Sequence, residues 1–532
     1  MTPPRVHAGF APRAAAPPGR HAELLARLAA LPVQAGPRDG ITVPCPFTGE
    51  PLGAIPHCTG EDIALAAARA RAAQPAWAAR TVRERAGVLL RFHDLLLARR
   101  DEALDLIQLE SGKARRHALD EVVDTALVAR WYGRHAEALL RPRRRAAGLP
   151  VITTAWELRQ PVGLVGVVSP WNFPLILSIT DLLAALVAGN AVVLRPDEQG
   201  SFTALWAVAL LRAAGLPPDL LAVVTGPGPV LGPALIDAAD FIMFTGSTRT
   251  GRVVARQAAE RLIGCSLELG GKNPMIVLDD ADLDAAAEGL VRGAFAGAGQ
   301  VCVSIERVYL PRAMFDDFAA RLVQRVAAMH ISPALAYGVD MGSMTVERQV
   351  VAVEAHVADA VARGATLLTG GHRLPELGPL FYAPTVLTGV TRDMALFGEE
   401  TFGPVVALYP YDTVDAAVAL ANDTPYGLNA SVWSRRPRRA LAVARRLRAG
   451  TVNINESYAA TWTATSSPIG GMRQSGLGRR HGAEGLLKYT EAQTIAVQRL
   501  LPLAPPPWVA ETRYARWLPR LLRAMRHLPG RR

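Results

Sequence analysis

The sequence predicts an α/β protein built on a doubly wound parallel sheet, and three observations support this prediction. Four short apolar runs alternate with helical patterns, as βαβ units require, at residues 162–168, 191–194, 222–225 and 241–244. A fifth run at 274–278 extends the series, and a second α/β region follows from about Asp282 to Gly471. The length of 532 residues exceeds what one ordinary core supports, so we expect two or three domains.

The N-terminal part contains a leader followed by the first ordered elements. Residues 1–40 are rich in Pro, Ala and Arg, which predicts a loose or disordered leader rather than a targeting peptide. Order is expected from Ile41, where ITVPCPFTGEPLG predicts short strands around a Thr-Gly turn. Capping boxes at 59–62 and 81–84 predict two helix starts. The second opens a long amphipathic helix that continues toward Leu109.

Two further segments carry structural signals of their own. Pro142 and the basic run RPRRR end the helical pattern, and residues 151–161 then predict an exposed strand. The last segment, from Pro505, is basic, interrupted by prolines and partly amphipathic. Such a tail can lie on an anionic membrane surface, although packing on its own subunit or on a neighbour is the simpler interpretation.

Composition and charge exclude several classes of protein. The chain has 50% hydrophobic and 20% charged residues, as in an ordinary globular enzyme, and its net charge of +11 is spread along the sequence. That spread favours a solvated basic surface over nucleic-acid binding. No run reaches the roughly 18–20 apolar residues of a membrane helix. The four cysteines form no CxxC pair, so neither a metal site nor a disulfide framework is expected, and a reducing, cytoplasmic location is favoured.

Cys302 is the candidate nucleophile. A single cysteine is more often a small buried apolar residue than a reactive group. Here, however, it stands in Ala-Gly-Gln-Val-Cys-Val-Ser, after Gly297 and Gly299. These glycines permit unusual backbone geometry and the close approach of a substrate.

Glu268 is the candidate general base. It lies between two leucines and is followed by a glycine pair, and an apolar environment of this kind raises the pKa of a carboxyl group. The alternative interpretation is a structural ion pair with Lys272.

Two further motifs indicate binding functions. Asn172 directly follows an apolar strand, at the strand end where open α/β sheets place their sites, and its side-chain amide can donate to an oxyanion. A turn asparagine between prolines is the alternative. At residues 244–251, a strand runs into a Gly/Ser/Thr turn and then a helix, and the N-terminus of such a helix binds phosphates.

Six motifs occur together and in order: PWNFP at 170–174, FTGSTRTG at 244–251, ELGGKNP at 268–274, GQVC at 299–302, EETFGP at 399–404 and PIGGMRQSGLGR at 468–479. This combination resembles the aldehyde dehydrogenase superfamily over roughly residues 41–500. The segments SIERVYL, GPLFYAPTVLT and GRRHGAEGLLKYTEAQTIA are most similar to the actinobacterial succinate-semialdehyde dehydrogenases. That group is usually described as NADP-dependent.

The resemblance implies an aldehyde dehydrogenase-like fold with a Rossmann-type cofactor domain, an α/β catalytic domain and a small β oligomerisation arm. The expected ranges are 41–144 and 161–281 for the cofactor domain, 282–484 for the catalytic domain, 145–160 and 485–500 for the arm, and 501–532 for a basic tail. A homodimer or a homotetramer is expected, and the sequence leaves both open.

The resemblance also implies the catalytic roles. The Cys302 thiolate, whose pKa must be lowered locally, attacks the aldehyde carbon. Asn172 and the backbone N–H of Cys302 hold the resulting oxyanion. After hydride transfer leaves a thioester, Glu268 activates the water that releases the acid. The site is then expected in a cleft between the two large domains.

NADP or NAD is the implied cofactor. The family's contacts with the nicotinamide end and the pyrophosphate fall on Trp171, Gly246, Ser247, Glu400 and Phe402.

The adenine ribose is expected at Arg195-Pro-Asp-Glu198. Glu198 repels a 2′-phosphate and Arg195 attracts one, so we expect measurable use of both cofactors.

The substrate is an aldehyde, expected to be succinate semialdehyde from the subfamily resemblance. Two arginines hold the substrate carboxylate in that group, and their positions are occupied here by Thr180 and Ala296. Arg292 and Arg473 are the substitutes that the sequence offers.

Three alternatives stay open at this point. A broad-range aldehyde dehydrogenase for aliphatic or aromatic aldehydes needs no carboxylate site. A CoA-acylating relative typically lacks the glutamate that supports hydrolysis, so the presence of Glu268 argues against it. A non-catalytic binding protein on the same fold is disfavoured by the retained Cys302, Glu268 and Asn172.

Overall fold

A computed structural model of the chain describes residues 21–148, 152–499 and 504–526. In chain order, the strands are β1 Gly40–Pro44, β2 Pro51–Pro56, β3 Arg143–Arg145, β4 Thr153–Pro161, β5 Leu164–Ser169, β6 Ala191–Pro196, β7 Leu221–Val223, β8 Phe241–Thr245, β9 Gly264–Glu268, β10 Asn273–Val277, β11 Ile305–Pro311, β12 Thr366–Thr369, β13 Thr385–Thr388, β14 Val405–Tyr411, β15 Asn429–Trp433, β16 Thr451–Ile454, β17 Gly476–Leu477 and β18 Thr490–Gln498.

The α-helices connect these strands and cover the sheets. They are α1 Ala22–Ala29, α2 Gly60–Ala78, α3 Val82–Ala98, α4 Arg100–Ser111, α5 Arg115–Leu140, α6 Ile176–Ala188, α7 Ser201–Ala213, α8 Gly228–Ala238, α9 Thr248–Glu260, α10 Leu283–Phe295, α11 Phe315–Ala327, α12 Glu347–Ala362, α13 Ala395–Gly398, α14 Val414–Asn422, α15 Pro437–Ala444, α16 Ala459–Thr463, α17 Gly482–Leu487 and α18 Glu511–Met525.

A six-stranded sheet in the order β17-β9-β8-β5-β6-β7 forms the first α/β unit. All its pairings are parallel except that of β17 with β9. The four apolar runs predicted as strands are β5 to β8, so the doubly wound sheet is confirmed. Because β5, β8 and β9 are parallel neighbours, they end at the same edge of the sheet, which brings Ser169, Thr245 and Glu268 to one side.

A seven-stranded sheet in the order β12-β13-β14-β11-β10-β15-β16 forms the second unit. The run predicted at 274–278 is β10, which pairs here with β11 and β15 and not with the strands before it. The chain therefore crosses between the sheets at residues 269–272, ahead of the expected domain boundary at 281. Apolar periodicity alone does not tell which of two neighbouring sheets a buried strand joins.

A three-stranded antiparallel sheet, β18-β4-β3, stands apart from both larger sheets. The strand predicted at 151–161 is confirmed over Thr153–Pro161, although most of its side chains are half-buried rather than exposed. Strand β18 pairs with it along its whole length, from Thr490 opposite Pro161 to Gln498 opposite Thr153.

The N-terminal segment is more ordered than its composition predicts. Helix α1 buries Leu25 and Leu28 in the first core, so the expectation of a loose chain up to residue 40 is wrong for residues 22–29. Two leucines on one helix face bury enough apolar surface to order the segment despite the surrounding prolines. Residues 1–20 lie outside the described ranges.

Both capping boxes are confirmed, at Thr59 with Asp62 and at Thr81 with Glu84. The helix predicted to continue to Leu109 is instead two helices, because the backbone of Arg99 leaves helical geometry at φ −109° and ψ 22°. Within the described ranges, no helix combines the length and apolar character needed to cross a bilayer.

Candidate active site

The loop that carries Cys302 begins where α10 ends. Three successive residues, Gly297, Ala298 and Gly299, adopt left-handed backbone conformations with φ of +55°, +54° and +71°. A Cβ added to Gly299 would overlap the carbonyl group of Gly403, since the 399–404 loop packs directly against this turn. The glycines predicted to shape the loop therefore do so, and one of them also allows two loops of the site to meet.

Asparagine side chains hold the Cys302 loop from behind. Asn273 Nδ2 donates to the carbonyl oxygens of Cys302 at 2.8 Å and of Ser304 at 2.7 Å, and its Oδ1 accepts from the backbone N–H of Asn429 at 3.0 Å. Asn429 Nδ2 in turn donates to the Val303 carbonyl at 3.0 Å. The two asparagines open β10 and β15, which pair in parallel. The sequence does not indicate these roles, because the contacts arise only when the two strands pair.

Glu268 is the last residue of β9 and is 7% exposed. Its Oε1 makes no hydrogen bond to any described residue. Burial raises the pKa of this carboxyl to about 7, as predicted for a general base. The alternative ion pair with Lys272 is excluded, because Lys272 Nζ pairs with Glu306 instead.

A buried charged cluster behind Glu268 consists of Asp181, Arg480 and Lys488. Arg480 Nη2 lies 2.8 Å from Asp181 Oδ2, and Lys488 Nζ lies 3.0 Å from Asp181 Oδ1. Both cations oppose the effect of burial on Glu268 and lower the pKa of its carboxyl. Sequence reasoning missed this cluster. The one available signal was a carboxylate, Asp181, within the mostly apolar helix α6.

Cys302 itself is half-buried. Burial, followed by the nearby Glu400 and Glu268 carboxylates, raises the pKa of its thiol to about 12, and Arg480 acts in the opposite direction. The expected local lowering of the Cys302 pKa is therefore not found. A thiol held between two carboxyl groups needs those carboxyls protonated, or a cation nearby, before it ionises.

Asn172 lies next to the cysteine loop. Its Nδ2 donates to the Gln300 carbonyl at 2.9 Å, which leaves the second hydrogen of the amide available to another acceptor. The backbone carbonyl oxygen of Asn172 accepts a hydrogen bond from Lys113 Nζ at 2.7 Å, and Lys113 Nζ forms an ion pair of 2.6 Å with Glu121. Glu121 also accepts from the backbone at the start of α6, at Leu175 and Ile176. This buried ion pair, also absent from the predictions, fixes the PWNFP turn.

An apolar wall surrounds Cys302. It is formed by Phe173, Ile176, Leu177, Ala296, Val301, Val303, Leu428 and Tyr458, with Ala459 and Trp462 packed against it. Of the two positions at which the family resemblance led us to expect arginine, Ala296 is part of this wall. The other, Thr180, accepts a hydrogen bond from Arg480 Nη2 at 2.6 Å.

Arg473 and Arg292, the two arginines considered for binding a substrate carboxylate, differ in whether the guanidinium group is free to do so. Arg473 donates to the backbone carbonyls of Asn422 and Thr424, so its guanidinium supports a turn. Arg292 is half-exposed, lies 3.9 Å from Asp120 and stands beside Tyr458 of the apolar wall.

A turn suited to a phosphate group joins β8 to α9. The Ser247 hydroxyl caps the helix by accepting from the backbone N–H of Thr250 at 3.3 Å. A Cβ on Gly246 would lie 2.6 Å from the Phe244 ring, so any larger residue there would have to displace that ring. The N–H groups of such a helix start are free to bind an anion.

Glu400 and Phe402 belong to the 399–404 loop, and Trp171 contacts this loop through the Phe402 ring. Glu400 Oε1 accepts from the Gly271 N–H at 2.8 Å, and burial raises the pKa of its carboxyl to about 8. The Phe402 ring meets the Trp171 ring edge-on at 5.7 Å, with Phe402 itself at φ +53°. Glu306 accepts from the backbone N–H groups of this loop and so fixes it.

Arg195 and Glu198 lie at the end of β6 and form an ion pair of 2.9 Å. The Arg195 guanidinium also donates to the Gly226 carbonyl through Nε and Nη2, and its side chain is 6% exposed. Its charge is thus already engaged within the protein.

The chain matches the model of the aldehyde dehydrogenase family over residues 33–495. A protein of Mycolicibacterium smegmatis, provisionally named a succinate-semialdehyde dehydrogenase of the NADP(+) type, is 50% identical over 91% of this chain and 94% of its own length. The crystal structure of succinate-semialdehyde dehydrogenase from Burkholderia pseudomallei has a TM-score of 0.83 at 35% identity, covering 87% of this chain and 95% of that one. The NAD+ complex of a Bacillus cereus aldehyde dehydrogenase has a TM-score of 0.82 at 34% identity, covering 86% and 93%.

Proposed function

We propose that this chain, which belongs to the aldehyde dehydrogenase family, oxidises succinate semialdehyde to succinate with NADP or NAD as hydride acceptor. Aldehyde oxidation follows from the family. The 50% identity to a relative named for this substrate and for NADP(+), over nearly the full length of both chains, is the observation that carries the choice of substrate.

The catalytic steps follow from the residues around Cys302. The Cys302 thiol loses its proton to solvent, and the resulting thiolate attacks the aldehyde carbon. The free hydrogen of the Asn172 amide and the Cys302 N–H donate to the oxyanion that forms. A bound oxidised nicotinamide would supply the hydride acceptor for this adduct, whose oxidation would give a thioester on Cys302. Glu268 then takes a proton from water, which attacks the thioester and releases the acid and the thiol.

The cofactor contacts that we propose are Trp171, Gly246, Ser247, Glu400 and Phe402, with Arg195 and Glu198 at the adenine ribose. The free N–H groups at the start of α9 suit a phosphate group, and the Trp171–Phe402 pair offers aromatic surface for a nicotinamide ring. At the ribose, Arg195 is engaged by Glu198, so it offers a 2′-phosphate less attraction than a free guanidinium. We therefore expect use of both cofactors, with Glu198 limiting the affinity for NADP.

Arg292 is the residue that we propose for the substrate carboxylate. It is half-exposed and borders the apolar wall through Tyr458. Arg473 is committed to backbone carbonyls and does not compete for this role.

A second candidate function, broad-range oxidation of uncharged aldehydes, is favoured by the apolar wall itself. Eight buried apolar side chains around the nucleophile suit an aliphatic or aromatic group better than a carboxylate.

Steady-state kinetics with a charged and an uncharged aldehyde distinguish these two functions. Succinate semialdehyde and butanal, which have the same carbon count, are compared with NAD and with NADP, for the wild type and for Arg292→Gln. We expect wild-type kcat/KM to favour succinate semialdehyde, and Arg292→Gln to raise KM for it by about tenfold without changing KM for butanal. Equal wild-type efficiencies would replace the proposal by the broad-range function. Formation of the carboxylic acid in the same assay without added CoA would exclude a CoA-acylating enzyme.

For assembly, we propose a homodimer or homotetramer formed through the three-stranded sheet. Residues Trp156, Ile495 and Val497 leave large apolar side chains exposed on it, which is typical of an interface. We also propose a cytoplasmic location, in keeping with four cysteines that are all free.

A further inference from the structure

Helix α18 is the last element of the described chain, and none of its residues is buried. Four arginines recur at intervals of three or four along it, and thus share one face of the helix: Arg513, Arg516, Arg520 and Arg523. The only acidic residue of the helix is Glu511, at its first position.

The opposite face of α18 is apolar. Its residues follow the same helical spacing and are Trp517, Leu518, Leu521, Leu522 and Met525. The Trp517 side chain is 55% exposed and Leu522 is 50% exposed, and Trp508, just before the helix, is 78% exposed. Helix α1, at the other end of the chain, is also amphipathic, but it buries two leucines in the core. Leu518, Leu521 and Met525 of the same face are partly buried, so the apolar face of α18 has only partial cover within its own chain, in the part that the structure describes.

Charge selects the kind of surface that can cover α18. A second copy of this chain carries a net charge of +11, so it offers four aligned arginines less charge complementarity than an anionic surface does. A polyanion alone would pair with the arginines but leave the tryptophans and leucines in water. The headgroup region of an anionic bilayer satisfies both faces, because phosphates lie directly above the acyl chains.

We propose that α18 binds the surface of anionic lipid membranes, lying in the interface with its apolar face toward the acyl chains and its arginines against the lipid phosphates. The helix does not cross the bilayer. It attaches the enzyme to one membrane surface. The proposal does not depend on which aldehyde the enzyme oxidises.

Flotation with lipid vesicles tests the proposal on the full chain. Vesicles of equal parts phosphatidylglycerol and phosphatidylcholine are compared with phosphatidylcholine alone at about 0.15 M salt. We expect the protein to float with the anionic vesicles only. Replacing Arg513, Arg516, Arg520 and Arg523 by Gln should lower the bound fraction at least about tenfold. Inorganic phosphate at the lipid concentration should leave wild-type binding unchanged, since the ligand is a lipid surface.

Matched variants distinguish the contribution of α18 to vesicle binding from that of the general surface charge. A control set removes four exposed arginines elsewhere, Arg69, Arg130, Arg134 and Arg438, and should float as the wild type does. Trp517→Ser with Leu522→Ser keeps every charge and should also weaken binding. Aldehyde oxidation by each variant in solution confirms that it is folded.

Three results would overturn the proposal. Wild-type protein that fails to float with anionic vesicles shows no membrane binding. Equal loss in the control set shows that overall charge, not α18, is responsible. A smaller oligomeric mass of the α18 variants by light scattering, without any vesicle binding of the wild type, shows that a second copy covers the helix instead.

Discussion

At the scale of residues, proton affinity is the central feature of the site. Cys302, Glu268 and Glu400 share one partly buried space, and burial favours the neutral form of each. A neutral Glu268 and a neutral Glu400 permit the thiolate, whereas an ionised Glu268 is needed to activate water. The same carboxyl must therefore change its protonation state between the two halves of the reaction, which a pKa of about 7 allows.

Glu268→Gln removes this base while keeping the shape of the side chain. We expect an initial burst of reduced cofactor followed by a steady-state rate at least about 100-fold below wild type, because the thioester forms but water is not activated. Stopped-flow absorbance at the nicotinamide band measures both phases. Cys302→Ser is the matched comparison and should show no burst. An unchanged steady-state rate in Glu268→Gln would exclude Glu268 as the deacylating base.

Arg480 is a positioning residue that acts through Glu268. Its charge lowers the pKa of the Glu268 carboxyl, so Arg480→Met should raise that pKa further. Since the base works when ionised, the acidic limb of the hydrolysis rate should move to higher pH, by about one unit. Arg480→Lys, which keeps the charge, should restore most of the wild-type profile.

The readout for Arg480 is the pH dependence of acyl-enzyme hydrolysis, with succinate semialdehyde and with butanal. The shift should be the same for both substrates, because the effect is on the base. If Arg480→Met changed only KM for succinate semialdehyde and did not shift the acidic limb of the hydrolysis rate, Arg480 would bind the substrate carboxylate instead.

At the scale of elements, the site depends on two loops that meet. The cysteine loop turns through three left-handed residues, and the 399–404 loop packs on it at Gly299. Asn273 and Asn429 then tie the cysteine loop to the starts of β10 and β15. The position of the nucleophile is thus set by contacts between elements rather than by its own helix or strand.

Gly299→Ala should separate these loops. The added methyl overlaps the Gly403 carbonyl, so we expect at least about a 100-fold loss in kcat/KM from displacement of Cys302. Gly297→Ala is the control, since its added Cβ would meet nothing closer than 3.8 Å. It should cost only the backbone strain of its left-handed conformation, about 1–2 kcal/mol. Equal activities in the two variants would contradict the importance of this contact.

At the scale of the whole molecule, the three-stranded sheet is the exposed structural element that an oligomer can use. Ile495 lies opposite Trp156 in the antiparallel register, and Val497 is on the same face of β18. All three side chains are at least 40% exposed.

Ile495→Glu with Val497→Glu should reduce the oligomer to a smaller species, because buried carboxylates without partners oppose association. Light scattering of the purified protein measures the mass. Thr494→Glu with Ala496→Glu, on the other face of the strand, should leave the mass unchanged. The same mass for both pairs would show that this face of the sheet does not form the interface.

Much of this protein was determined by its sequence alone. The periodicity of short apolar runs predicted the parallel sheet, since buried parallel strands must be apolar throughout. The ordered motifs predicted the aldehyde dehydrogenase family and the candidates Cys302, Glu268 and Asn172. These features are local, in that each depends on residues within a few positions of one another.

Only the tertiary structure decided which distant residues share the site. It placed β10 in the second sheet, paired Lys272 with Glu306 instead of Glu268, and put Asp181 and Arg480 behind the base, although they are 299 positions apart (480 − 181). It also raised the pKa of Cys302 where the sequence led us to expect lowering. Burial and charge proximity depend on the folded path of the whole chain, and a linear pattern does not contain them.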